Sequence, residues 1–172
     1  WFGRAVSAAP SFSDAWHHLG EALLATDRED DAADAWIECR RLDLLDPRPP
    51  WRLGDRELER LVESALRELP PGVCDALANV PILVEDGPSA ELVREGLDPR
   101  ILGLFTGTPL PEKEFVGGPV HAPDAGEIFV RNLERVCDGR GDLEEQVRIT
   151  VLHETAHFFG LEDDDLDRIG LG

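Results

Sequence analysis

The chain has 172 residues, 42% of them hydrophobic and 31% charged, which excludes a disordered polymer and allows one ordinary domain or two small ones with a core that needs no staples. With 36 acidic against 17 basic residues the net charge is −19, which argues against nucleic acid and anionic membrane surfaces as partners. No apolar run approaches the roughly 20 residues that span a bilayer.

The start, WFGRAVSAAP, lacks the basic opening and long apolar stretch of a signal peptide. The chain contains no Met and therefore reads as a fragment of something longer. Cys39, Cys74 and Cys137 are widely spaced and form no CxxC pair, which predicts reduced thiols and a cytoplasmic location.

The first 46 residues read as helical. SFSDAWHHLGEALLATD places Trp16, Leu19, Leu23 and Leu24 at helical spacing, with Ser13 or Asp14 available as a cap. A second helix is predicted over Glu29 to Leu45, carrying Ala32, Ala33, Trp36, Ile37 and Leu44, and the break at Thr26 to Arg28 makes the two a hairpin. His17 and His18 on the first helix read as surface or packing residues.

Phe2 and Trp36 are 34 residues apart, as are Ala5 and Cys39, and Pro10 closes the helix that precedes the hairpin. The set Trp16, Leu19, Gly20, Leu23, Ala32, Trp36 resembles the tetratricopeptide repeat, with small residues that let two helices approach closely. Leu23 stands where an aromatic is usual and Cys39 where alanine is usual. The resemblance implies one and a half repeats over residues 1–46 and a protein partner bound through them.

DPRPPW is a Pro-rich break, so residues 47–54 read as a linker and 55–172 as a second domain. GDRELERLVESALRELP predicts an amphipathic helix with Asp55 as N-cap and one face of Leu58, Leu61, Val62, Ala65, Leu66 and Leu69, stopped by Pro70 and Pro71. A short helix over Val73 to Asn79, a strand at PILVE, a helical turn at Ser89 to Gly96 and a strand at ILGLFTG follow. Residues 108–126 read as a Pro- and Gly-rich loop, EIFVRNL as a third strand, CDGRGD as a loop, and 142–159 as a final helix with a buried stripe of Leu143, Val147, Val151 and Phe158. The pattern is α+β: helices at both ends and a small sheet between them.

The final helix contains His153-Glu154-Thr155-Ala156-His157. Residues four apart share one face of a helix, so both imidazoles can reach one metal ion, and Glu154, about 100° round the helix from His153, can face solvent held by that ion. Zinc takes imidazole nitrogen, keeps an open position for water in catalytic sites, and lowers that water's pKa toward about 7. With Glu154 as general base, the reaction class is hydrolysis of a peptide or similar amide bond. The third ligand must come from elsewhere. Gly160 can end the helix in a left-handed turn, and the extended HExxHxxGxx pattern places its next residue at Asp163, an oxygen ligand; Glu162, Asp164 and Asp165 compete for the role. The acidic run lacks the glycine-bearing spacing of a calcium loop.

From about Trp51 to the end, some 120 residues, the chain resembles the minimal zincin-like metallopeptidase family of bacteria. ALRELP, LANVPILVED, LGLFTGTPL, EIFVRNLERV and VRITVLHETAHFFGLEDDDL carry the likeness. The resemblance implies a small zincin-like fold, an active-site helix with a short mixed sheet, and a motif of His153, Glu154, His157, Gly160 and Asp163 around Zn2+. It implies no particular substrate. The chain departs from the larger metzincin pattern: its third ligand is Asp, and it has no Met for a turn beneath the metal and no Tyr to stabilise an oxyanion. His121 and Arg131 stand in as donors, although the first also reads as a solvated loop residue and the second as a surface ion-pair partner. These departures also motivate an alternative, an inactive zincin-like binding module that keeps zinc for structure. Hydrolysis of a non-peptide amide is a third reading.

Overall fold

The computed structural model describes residues 1–107 and 124–161. Among them are eight helices and three strands, in the order α1 (Phe2–Ala8), α2 (Ser13–Leu24), α3 (Glu29–Leu45), α4 (Asp55–Arg67), α5 (Pro71–Leu77), β1 (Ile82–Glu85), α6 (Ala90–Arg94), β2 (Gly103–Thr106), β3 (Ala125–Phe129), α7 (Val130–Val136) and α8 (Arg140–Phe158). The fold class is α+β, a three-stranded mixed sheet with its helix and an N-terminal helical region. No helix among the described residues is long and apolar enough to cross a membrane. The described residues form two compact units, one of residues 1–48 and 86–101, the other of 49–85, 102–107 and 124–161.

In the first unit α2 and α3 pack as a hairpin, and the turn between them passes through Asp27 in the left-handed region at φ 56°. Contact between the helices is close because Gly20 lacks a side chain: a Cβ there would stand 2.2 Å from the Trp36 ring. The Trp36 indole N–H donates to the His17 carbonyl at 3.2 Å, and Ala32, Ala35 and Cys39 complete the buried face of α3. Residues 86–101 pack with these helices. Arg100 joins them: its guanidinium donates to Asp43 at 2.8 Å, Asp14 at 2.7 Å and Ser13 at 3.1 Å, while its backbone N–H donates to the Asp98 carboxylate at 2.8 Å. Asp43 is 5% exposed, and Arg100 neutralises its charge in the core. α6 begins at Ser89, whose hydroxyl accepts the Leu92 N–H.

In the second unit the sheet order is β1-β3-β2, with β1 parallel and β2 antiparallel to β3. Ile82 and Val84 alternate inward and Leu83 and Glu85 outward, the period-2 pattern of a sheet with one packed face. In β3 the inward positions are Gly126 and Ile128, opposite Ile82 and Val84 on one side and Phe105 and Gly103 on the other. Gly126 gives Ile82 room to lie across the sheet; a Cβ on it would meet the Ile82 Cδ1 at 2.6 Å. α8 lies against this sheet and α4, and α4 contributes Leu58, Val62 and Ala65, three, four and seven residues apart. Burying each side chain of Leu or Val size stabilises by about 1.5–3 kcal/mol.

Two local expectations need correction. EIFVRNL does not continue as a strand: pairing stops at Phe129 and residues 130–136 are helical. Ile128, Val130 and Asn132 alternate as in a strand, while Val130, Leu133 and Cys137 sit at helical spacing; both sets are buried, so the stretch satisfies both periods. Asp55 is not the cap of α4 but its first residue. Gly54 precedes it, and the Glu57 carboxylate reaches back to accept the Gly54 N–H at 3.1 Å.

Candidate active site

α8 places the chemistry. Its buried stripe runs Leu143, Val147, Val151, Phe158, and at the turn between the last two the stripe position is filled by Glu154, only 6% exposed. A carboxylate at a core-facing position needs space and polar company. The space comes from β2: Gly103 stands directly opposite, and a Cβ on it would lie 2.7 Å from Glu154 Oε1 and 2.8 Å from Thr150 Cγ2. A strand glycine marks the close approach of another group, here the edge of the carboxylate.

His153 and His157 stand beside Glu154, one step round the helix and half-buried. Their rings meet edge to face with centroids 4.7 Å apart, and their Nε2 atoms are 3.0 Å from each other. Two nitrogens bound to one tetrahedral zinc at about 2.0–2.1 Å stand about 3.3 Å apart, so the rings already converge as ligands of a shared ion would. Phe158 supports this end of the helix, its ring edge-on to Phe105 of β2 at 5.7 Å and to Phe159 at 5.0 Å.

The helix ends in a Schellman turn. Gly160 adopts φ 78°, its N–H bonds to the His157 carbonyl at 2.9 Å, and the Leu161 N–H returns to the Ala156 carbonyl at 3.2 Å. This turn brings the Leu161 carbonyl to His157 Nδ1 at 2.9 Å. A carbonyl only accepts, so Nδ1 carries the proton and the Nε2 lone pair faces His153. Fixing a ligating histidine by its second nitrogen is a usual support of metal sites. The C-terminal end of a helix also carries partial negative charge, which favours a cation beside these rings.

Gly103 and the Leu161 carbonyl are the contributors that motif reading overlooks. The first looks like a strand boundary, although an interior strand glycine is itself a signal; the second has no sequence signal because it is backbone. Arg131 is half-buried on α7. Asp163 and its competitors Glu162, Asp164 and Asp165, and also His121, lie outside the described residues.

Two convergent imidazoles four residues apart on one helix, with a carboxylate beside them, form the HExxH arrangement. The chain belongs to the family of zincin-like metallopeptidases, whose model matches residues 77–172. No curated protein matches the chain. Family membership makes metallopeptidase chemistry its kind of function, with zinc as the typical metal and peptides or proteins as the substrate class.

Proposed function

We propose that this protein is a zinc-dependent peptidase in which His153, His157 and Asp163 hold the metal and Glu154 is the general base. The observation that carries the reading is the 3.0 Å approach of the two Nε2 atoms beside a buried Glu154 held against Gly103. When bound, zinc supplies Lewis acidity and acidifies its water toward a pKa of about 7. Glu154 accepts the proton of the attacking water at a carboxylate oxygen and delivers it to the nitrogen of the departing amine. His157 is held in orientation through its Nδ1–H bond to the Leu161 carbonyl. Packing of Glu154 between α8 and β2 keeps the carboxylate in one place during the transfer.

Residues 55–172 constitute the catalytic domain on this reading, 47–54 the linker, and 1–46 a tetratricopeptide-like repeat that recruits a protein partner. The contact of Gly20 with the Trp36 ring supports the repeat, because it is the small-against-aromatic packing the resemblance calls for. Residues 86–101 are then an excursion of the catalytic region that packs with the repeat helices. Three cysteines without a disulfide fit a reducing, cytoplasmic setting.

Zinc content and cleavage of a mixed peptide library, compared between wild type and Glu154→Gln, test the reading. The expected result is stoichiometric zinc in both and cleavage by wild type alone, with a loss of at least about a hundredfold in the variant. Zinc in both and cleavage by neither sinks the peptidase and leaves the inactive zinc-stabilised binding module.

A further inference from the structure

His17 and His18 belong to no part of the site described above, and their surroundings go beyond surface packing. They are adjacent on α2, and Glu21 follows at i+4 and i+3. At 100° per residue Glu21 falls, in angle, between the two histidines, so all three side chains leave the helix in one sector. One ligand atom from each lies within 4.8 Å of the other two. Glu21 Oε2 is 2.7 Å from His18 Nδ1 and 3.9 Å from His17 Nδ1.

The far side of His17 is fixed. Its Nε2 is 2.9 and 3.2 Å from the two carboxylate oxygens of Asp98. A carboxylate accepts, so Nε2 donates to Asp98, and Nδ1 is the ring nitrogen turned toward Glu21. His17 Nδ1 and Glu21 Oε2 face each other across 3.9 Å, a gap that a cation can bridge. Carboxylate to histidine to open nitrogen is the outer arrangement that orients imidazole ligands in metal proteins. Trp36 stacks on the inner face of His17 with centroids 6.5 Å apart, and Phe2 covers His18 at 5.6 Å. His17 is largely buried, whereas His18 and Glu21 are half exposed and give an ion a way in.

We propose that His17, His18 and Glu21 form a second metal site, separate from the HExxH motif, with Asp98 orienting His17. Two imidazoles and one carboxylate select zinc or a neighbouring divalent transition metal over calcium or magnesium, which prefer all-oxygen shells. Three protein ligands leave a further coordination position to solvent.

The test is titration of the full chain with Zn2+ alone, followed by calorimetry, using H153A/H157A to remove the other histidine pair. That variant is expected to retain a single equivalent of zinc. Adding H18A or E21Q is expected to remove it, and Asp98→Asn to weaken it by about tenfold, each with unchanged helical circular dichroism. Co2+ at the retained site should quench part of the tryptophan fluorescence, because the Trp36 ring stacks on His17. The proposal is overturned if H153A/H157A binds no zinc, or if the zinc it binds survives both H18A and E21Q. Should H153A/H157A fail to fold, the same reading is made on the otherwise unaltered chain: H18A/E21Q must bind one equivalent fewer than wild type, and equal stoichiometry overturns the site.

Discussion

Gly103 and Glu154 share one small volume: a Cβ on the glycine would stand 2.7 Å from the carboxylate oxygen and 2.8 Å from the Glu154 Cγ. The identity of residue 103 thus governs where the proposed base can stand. Gly103→Ala is expected to push Glu154 out of its place, lowering peptide cleavage by tenfold or more and stability by about 1–3 kcal/mol, with zinc content retained. Turnover and metal analysis on the same preparation check it; full activity in this variant would show that the carboxylate tolerates displacement.

Gly160 acts on the other side of the motif. At φ 78° an alanine is strained by about 1–2 kcal/mol, and relief of that strain moves the Leu161 carbonyl away from His157 Nδ1. Gly160→Ala should therefore weaken zinc by about 10–100-fold while leaving Glu154 in place. A competition titration against a chromophoric chelator reads the change.

The opposite face of the motif carries a liability. The Thr155 hydroxyl is buried and has no hydrogen-bond partner among the described residues. Thr155→Val keeps the shape and removes the unsatisfied group, so it should raise stability by about 1 kcal/mol, seen as a higher Tm, with cleavage unaffected.

Much of this was readable in advance, for reasons that differ by element. α3 begins and ends at the expected Glu29 and Leu45 because its periodic apolar face and flanking breaks agree. α8 was legible from the stripe of Leu143, Val147, Val151 and Phe158, all buried as expected. α7 was not, because Val130 to Val136 follow a strand without a breaker and satisfy both periods over a short stretch. Within the site, the two histidines and the glutamate declare themselves by spacing along one helix. Gly103 and the Leu161 carbonyl depend on tertiary approach, which no local pattern encodes.

Alkaline stability should reveal Cys137. Burial, and then the Asp142 carboxylate it faces, push its thiol up to about 11. A free thiol titrates near pH 8.5, so between about 8.5 and 11 the unfolded chain gives up this proton and the folded chain keeps it. The folded state then binds more protons, and stability falls as pH rises through that window. Cys137→Ser should flatten this part of the denaturation profile, and alkylation of Cys137 by iodoacetamide at pH 8 should be slow until the protein unfolds.

Arg100 lies within residues 77–172, yet Ser13, Asp14 and Asp43, which its guanidinium grips, all come from the helices before that boundary. Cutting the chain where the family likeness begins would remove all three acceptors together with the helices that cover the guanidinium, leaving residues 86–101 without the partners they pack with. The peptidase region is therefore not a free cassette. Residues 86–101 are thus bound to the helical hairpin although most of the region that matches the family lies in the other compact unit.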